Sequence, residues 1–229
     1  MYTLSTIERR GRRDPDEEGH GVMSTARATY RHGDLRRSLI QAGIELAREG
    51  GPDAVVLREA TRRAGVSPNA AYRHFADRAA LVGAVSDAAQ GAAAAAIEAE
   101  LATVPEATDA ASAQERLRAV GIGYLRFARD EPGLFRAAFG VPGGLDRAFV
   151  AEKAGPGGTS PYGLLAGALD DLARFGVLPP ERRQGAELLA WSAVHGLAML
   201  LLEGPLHDLP EEVRVMAGRG VVEMVVRGI

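Results

Sequence analysis

The run Ala64-Gly65-Val66-Ser67-Pro68 restricts the possible folds of this chain more than any other stretch. Gly65 offers the positive φ that ends a helix, the Ser67 hydroxyl can accept a first-turn N–H, and Pro68 suits a first helical position, where no N–H is needed. One helix must stop and another start within three residues. With helical composition on both sides, from Val56 to Ala64 and from Pro68 to Phe75, this is a helix-turn-helix. The second helix carries Asn69, Tyr72, Arg73 and His74 within about two turns, so hydrogen-bond donors and an aromatic ring share a small surface. Double-stranded DNA is the partner that such a surface fits.

The remaining periodic segments all have helical spacing. Leu35, Leu39, Gly43 and Leu46 fall on one face of a helix that starts at Asp34 and stops at Gly50-Gly51. Asp77 caps a long helix that passes through Leu81, Val82, Val85 and Ala88 into an alanine-rich stretch and ends before Pro105. Leu117, Val120, Tyr124 and Phe127 form the next stripe, and Glu131-Pro132 restarts the chain as a short helix with Leu134, Phe135 and Phe139. Val141 to Pro161 is dense in Gly and Pro, a loop with at most a short helix near Leu145 to Val150. Helices follow at Tyr162 to Phe175, Glu181 to Glu203 and Pro210 to Arg227. The expected fold is all-α: a disordered arm over 1–28, a three-helix head over 29–76, a connecting helix over 77–104 and a larger helical domain over 105–229.

Composition narrows the function classes. There is no cysteine, and His20, His32, His74, His195 and His207 show no ligand spacing, so neither a metal nor a cofactor is expected. The net charge is -3, yet Ser24 to Gln90 holds ten Arg against seven Asp or Glu, a local +3 on the helix-turn-helix region. Arg is abundant throughout and Lys153 is the lone lysine, a bias that GC-rich coding also produces. The arm places Arg9, Arg10, Arg12 and Arg13 before an acidic block, so it either reaches a minor groove or stays solvated. The longest candidate apolar run, Leu188 to Leu202, contains His195 and falls short of the ~18 residues of a bilayer span. The N-terminus lacks the apolar core of a signal peptide, so a cytoplasmic protein without a membrane partner is expected.

Tyr30 to Val85, above all Ala64-Gly-Val-Ser67, Tyr72-Arg-His-Phe75 and Asp77-Arg-Ala-Ala-Leu81, resembles the DNA-binding domain of the TetR family of bacterial transcriptional regulators. Where that family has an aliphatic residue followed by Ala, this chain has Ala60 and Thr61, which predicts looser packing; Arg78 stands where the family has Lys. Arg31, Arg58, Ser67, Asn69, Ala70, Tyr72, Arg73, His74 and Arg78 are the candidates for DNA contact, although the arginines of the helix-turn-helix also read as solvated surface charges and Tyr72 as a core ring. Arg62, Arg63 and His32 are further candidates for the phosphates, whereas Phe75 reads as core.

Tyr124-Leu-Arg-Phe-Ala128, Glu131-Pro-Gly-Leu-Phe135 and Trp191-Ser-Ala-Val-His-Gly196 are similar to TetR C-terminal domains of the Trp-x-x-x-His-Gly type. Trp191 and His195 share a helical face. With Tyr124, Phe127, Phe135 and Phe139 they either line a small-molecule cavity or pack as core. The last two helices carry wide apolar surfaces, which predicts a homodimer joined through Val194, Leu197, Leu201, Val213, Met216, Ala217, Gly220, Val221 and Met224. The resulting expectation is a homodimeric repressor of a palindromic operator, released by an effector. A DNA-binding regulator without an effector, or an activator, is the alternative. An enzyme would rest on His195 with a nearby acid, but no nucleophile motif, phosphate loop or metal pair accompanies it, and enzymatic activity is not expected.

Overall fold

The structure, a computed structural model, describes the backbone of residues 20–140 and 148–228, with side chains from Asp34 onward within those limits. Among the described residues the chain forms ten α-helices and no strand. Helices α1 (His20–Gly50), α2 (Leu57–Arg63) and α3 (Pro68–Tyr72) make the head, and α4 (Arg78–Leu101) runs from the head into the body. The body comprises α5 (Ala110–Asp130), α6 (Pro132–Phe139), α7 (Pro161–Arg174), α8 (Pro180–Arg183), α9 (Ala186–Leu202) and α10 (Glu211–Gly228).

Helix α1 begins well before Asp34, so residues 20–28, assigned above to a disordered arm, lie in a helix. Val22 to His32 contains neither Gly nor Pro and is rich in Ala and Arg. Once packing nucleates the later turns, backward propagation adds a hydrogen bond for each residue. Residues 1–19 lie outside the described part. Leu39, Ala42, Leu46 and Ala47 are buried beneath α4, as the stripe requires.

The turn between α2 and α3 follows its sequence closely. Gly65 has φ +66°, its N–H donates to the Arg62 carbonyl at 3.3 Å, and the Val66 N–H donates to the Thr61 carbonyl at 3.0 Å. These two bonds satisfy carbonyls that the end of α2 leaves without helical partners. The Ser67 hydroxyl accepts the Ala70 N–H at 3.3 Å and starts α3. Ala60 and Thr61 are both buried, and the Thr61 hydroxyl donates to the Arg58 carbonyl at 2.7 Å. The polar group is therefore satisfied inside the head.

Helix α4 is long and apolar enough, by length and composition, to cross a membrane. Its stripe of Leu81, Val85, Ala89, Ala93 and Ile97 is instead covered by α1, α5, α6 and α7, the placement of a core helix. Helix α6 is held at both ends. Gly133, in its first turn, lies so close to α1 that a Cβ would sit 2.3 Å from the Ala47 carbonyl oxygen. At the other end, Ser86 (3.1 Å) and Gln90 (2.9 Å) of α4 donate to the Ala138 carbonyl, one of the terminal carbonyls that a helix cannot satisfy itself.

One sequence expectation changes in the body. The helix read from Glu181 to Glu203 is broken into α8 and α9, because Gly185 takes φ +81° between them. In the Gly/Pro-rich segment, residues 141–147 lie outside the described part and 148–150 are not helical; a 3-10 turn at Ala151–Lys153 follows. The Gly157 N–H donates to the Glu98 carboxylate at 3.1 Å and ties this segment to α4.

Candidate functional site

The head exposes one side of α3 and buries the other. Ala71 and Phe75 turn into the core, with the Arg36 guanidinium 5.5 Å from the centre of the Phe75 ring. Asn69, Tyr72 and Arg73 face solvent on the opposite side, and the Tyr72 residue is 58% exposed. A phenol ring left this exposed contributes little to folding; its placement suits contact with another molecule. Ser67 is exposed but its hydroxyl is engaged as the cap; Ala70 and His74 are half-buried. The side chain of Arg31, like that of His32, lies outside the described part.

The arginines of the head divide into two groups. Arg58 and Arg73 are exposed and form no ion pair with the described residues. Arg62 pairs with Glu59 at 2.6 Å, and Arg63 bridges Glu49 of α1 (2.6 Å) and Glu59 (3.3 Å). The Arg62 hydrogen bond, with Arg63 adding to it, lowers the Glu59 carboxyl to about 2, so these two cations are already matched by local carboxylates. Arg78 is engaged within the head as well. Its guanidinium donates to the carbonyls of Val55 (2.9 Å) and Pro52 (2.7 Å), fastening the first turn of α4 to the 3-10 turn Pro52–Ala54. A planar fork suits two adjacent carbonyls better than an ammonium would, which gives Arg a structural task at this position.

The body holds a partly open cavity of about 150 Å³ between α4, α5, α6, α7, α9 and α10. Of the six residues expected around a small-molecule site, Tyr124, Phe139 and Trp191 form part of its wall. Phe127, Phe135 and His195 stand outside the lining and pack the ring cluster behind it. Tyr124 meets Phe135 edge-on at 5.4 Å, and His195 stacks on Phe135 at 5.7 Å. The Trp191 indole N–H donates to the Tyr124 hydroxyl oxygen at 3.0 Å, and that hydroxyl lies 2.8 Å from His195 Nδ1. Burial raises the Tyr124 phenol and lowers the His195 imidazole, so both groups are neutral near pH 7. The Tyr124 hydroxyl and His195 Nδ1 share a hydrogen bond whose donor is set by the imidazole tautomer. The three side chains form a connected hydrogen-bonded chain beside the cavity.

The outer surface of α9 and α10 carries the remaining predicted residues, with one correction. Val194, Leu197 and Leu201 are buried inside the chain itself and are not available to a second subunit. Helix α9 is apolar almost all round, so its sequence could not show which side would meet α5 and α7. Its exposed apolar residues are Leu188, Leu189 (68% exposed) and Leu200. On α10, Met216 (66%) and Met224 (59%) are exposed with Gly220, while Val213, Ala217 and Val221 are half-buried. Gly196 and Gly220 have open space where a Cβ would stand.

Comparison with known proteins decides the family. Residues 39–85 match the model of bacterial regulatory proteins of the tetR family, and residues 117–224 match that of a tetracyclin repressor-like C-terminal domain. The chain belongs to the TetR family of transcriptional regulators. This TetR-family regulator resembles a protein of unknown function from Rhodococcus sp. RHA1, at 25% identity and TM-score 0.64 over 85% of this chain and 95% of that one. It shares its fold with a TetR-family transcriptional regulator from Mesorhizobium loti (18% identity, TM-score 0.54, 86% and 96% covered). The same holds for a TetR family regulator from Thermus thermophilus (18% identity, TM-score 0.51, 83% and 98% covered). No curated protein matches the sequence.

Three polar residues on the regulator's cavity wall escaped the sequence reading: Gln90, Lys153 and Tyr162. Gln90 sits on α4, where no periodic signal sets it apart, and Tyr162 opens α7 after a proline. Lys153 lies in the Gly/Pro-rich segment, outside any stripe. The one available cue was that a chain this rich in arginine keeps a single lysine.

Proposed function

We propose that this TetR-family regulator is a homodimeric repressor that binds a palindromic operator through two copies of α3 and leaves it when a small molecule occupies the body cavity. The observation that carries this reading is the split surface of α3 and the turn after it: Ala71 and Phe75 buried, Asn69, Tyr72 and Arg73 exposed. Asn69 is suited to an adenine edge, Tyr72 to a phosphate or thymine methyl, and Arg58 and Arg73 to phosphates. Arg31 and His74 are proposed to touch the backbone beside them. Repression would follow from occupying DNA that polymerase needs, in the cytoplasm.

Selection of bound DNA from a random pool tests this directly. The expected product is a palindrome whose half-sites lie about 34 to 36 Å apart, one helical turn. Recovery of a single asymmetric half-site would defeat the paired-head arrangement.

The dimer is proposed to form through the outer faces of α9 and α10, using Leu189 and Leu200 with Met216, Gly220 and Met224. The open sites at Gly196 and Gly220 let a facing helix approach closely. Met216→Asp, which places a charge on this surface, is expected to shift the protein from dimer to monomer in sedimentation at micromolar concentration, with operator affinity falling in parallel. A Met216→Asp protein that sediments as wild type would remove this face from the interface.

Effector action is proposed to run through α6. Phe139 of this helix lines the cavity, while Gly133 at its other end presses on the backbone of α1. The Arg48 guanidinium also joins α1 to Glu131 at the start of α6, at 3.0 Å. A ligand that favours a different position of α6 would alter the position of the head, provided it binds the two arrangements with different affinity. The resemblance to the Trp-x-x-x-His-Gly type, carried by Trp191, His195 and Gly196, agrees with a ligand site in this region.

A further inference from the structure

We propose that the cavity selects small organic acids, an apolar body of about one aromatic ring carrying a single carboxylate, and that Lys153 is the residue that binds the carboxylate. This rests on the reading of the cavity as the effector site and adds the chemical class of its occupant.

The described wall holds one formal charge. Apart from Lys153 it is built of aliphatic and aromatic side chains, with Gln90, Tyr124, Trp191 and Tyr162 as its other polar groups. Two of these are committed elsewhere: Trp191 donates to Tyr124, and the Tyr124 hydroxyl is hydrogen-bonded to His195. Gln90 gives its amide N–H to Ala138. An anion entering the cavity meets no carboxylate on the described wall, and a cation meets Lys153.

Lys153 is only 7% exposed. Among the described residues its counter-ion is Asp87 of α4, whose Oδ1 lies 3.8 Å from the ammonium, an ion pair longer than a hydrogen bond, and Asp87 has other interactions as well. An ammonium has three N–H donors and no acceptor, and its contact with Asp87 is too long to engage them as a hydrogen bond. A ligand carboxylate supplies two oxygens able to accept from it. The position of the ammonium is itself maintained: the backbone of Ala154 lies so close to Gly91 of α4 that a Cβ there would come within 2.9 Å of its carbonyl oxygen, and Glu98 holds Gly157. The volume, about 150 Å³, sets the size, since an apolar cavity of that volume accommodates benzene.

The test titrates full-length protein with benzoate and phenylacetate and with their neutral counterparts benzamide and phenylacetamide, following Trp191 fluorescence and calorimetric heat. The acids are expected to bind roughly tenfold or more tightly than the amides, as a charge-assisted contact requires. Lys153→Met is expected to erase that preference while amide binding persists, and Lys153→Arg to retain it. Equal affinity for acids and amides in the wild type, or an acid preference that survives in Lys153→Met, overturns the proposal and leaves the effector cavity standing. Failure of all four compounds to bind wild-type protein overturns the cavity as a site for ligands of this size, and the proposal with it. Should Lys153→Met not fold, the acid-to-amide ratio of the wild type decides alone, because the described wall has no second charge to produce it.

Discussion

Tyr72→Ala is expected to lower specific operator affinity on the order of a hundredfold, at about 1–3 kcal/mol for each specific contact with two copies in a dimer. The ring is 58% exposed and makes no hydrogen bond with the described residues, so its removal opens no cavity in the head. Stability should stay within about 0.5 kcal/mol of wild type, as for other surface substitutions away from caps and cores. The two measurements together distinguish contact from folding: a gel-shift or footprint titration loses the operator while the thermal midpoint stays in place. Tyr72→Phe separates the phenol from the ring, keeping any thymine-methyl contact and losing a phosphate bond. An unchanged footprint for Tyr72→Ala would remove α3 as the reading element.

The second large effect concerns one methyl group. Gly133→Ala places a Cβ 2.3 Å from the Ala47 carbonyl oxygen and 2.5 Å from that of Arg48. Both obstacles are backbone atoms in the last turns of α1, so no side chain can rotate away, and α1 and α6 must separate. Overpacking of this kind costs about 1–3 kcal/mol, or several degrees in the thermal midpoint of a chain this long. Gly83→Ala in α4 provides the opposite sign. A Cβ there meets nothing within 4 Å, and replacing an interior helical glycine by alanine should stabilise by about 0.5–1 kcal/mol. A Gly133→Ala protein that melts with the wild type would show that the close approach of α1 and α6 is not maintained in solution. Operator affinity measured on the same variant reports how far this contact sets the position of the head.

Much of the head was legible because its signals are local. A glycine with positive φ, a serine cap, a proline at the first turn and Asp77 before α4 each act over three or four residues, and each performs the task its position implied. The carbonyl contacts of Arg78 were not legible, because an exposed arginine near a binding helix looks the same in sequence whether it meets phosphate or a carbonyl. Only the fold brings Pro52 and Val55 beneath it. In the body, Tyr124, Phe139 and Trp191 were found through their helical stripes, which identify inward-facing residues. Stripes do not distinguish a cavity wall from the packing behind it, and so Phe127, Phe135 and His195 could not be separated from the other three.

By itself the sequence determined the all-α class, the helix-turn-helix and the family, because capping, glycine conformation and helical period are properties of neighbours along the chain. The tertiary structure decided which side of α9 turns inward, since a helix apolar on every side acquires a core face only when α5, α7 and α10 pack against it. It also decided that Lys153 stands on the cavity wall. A lysine in a Gly/Pro-rich segment has no periodicity to orient it, and its burial depends on Gly91 and Glu98, far away in sequence, holding that segment against α4.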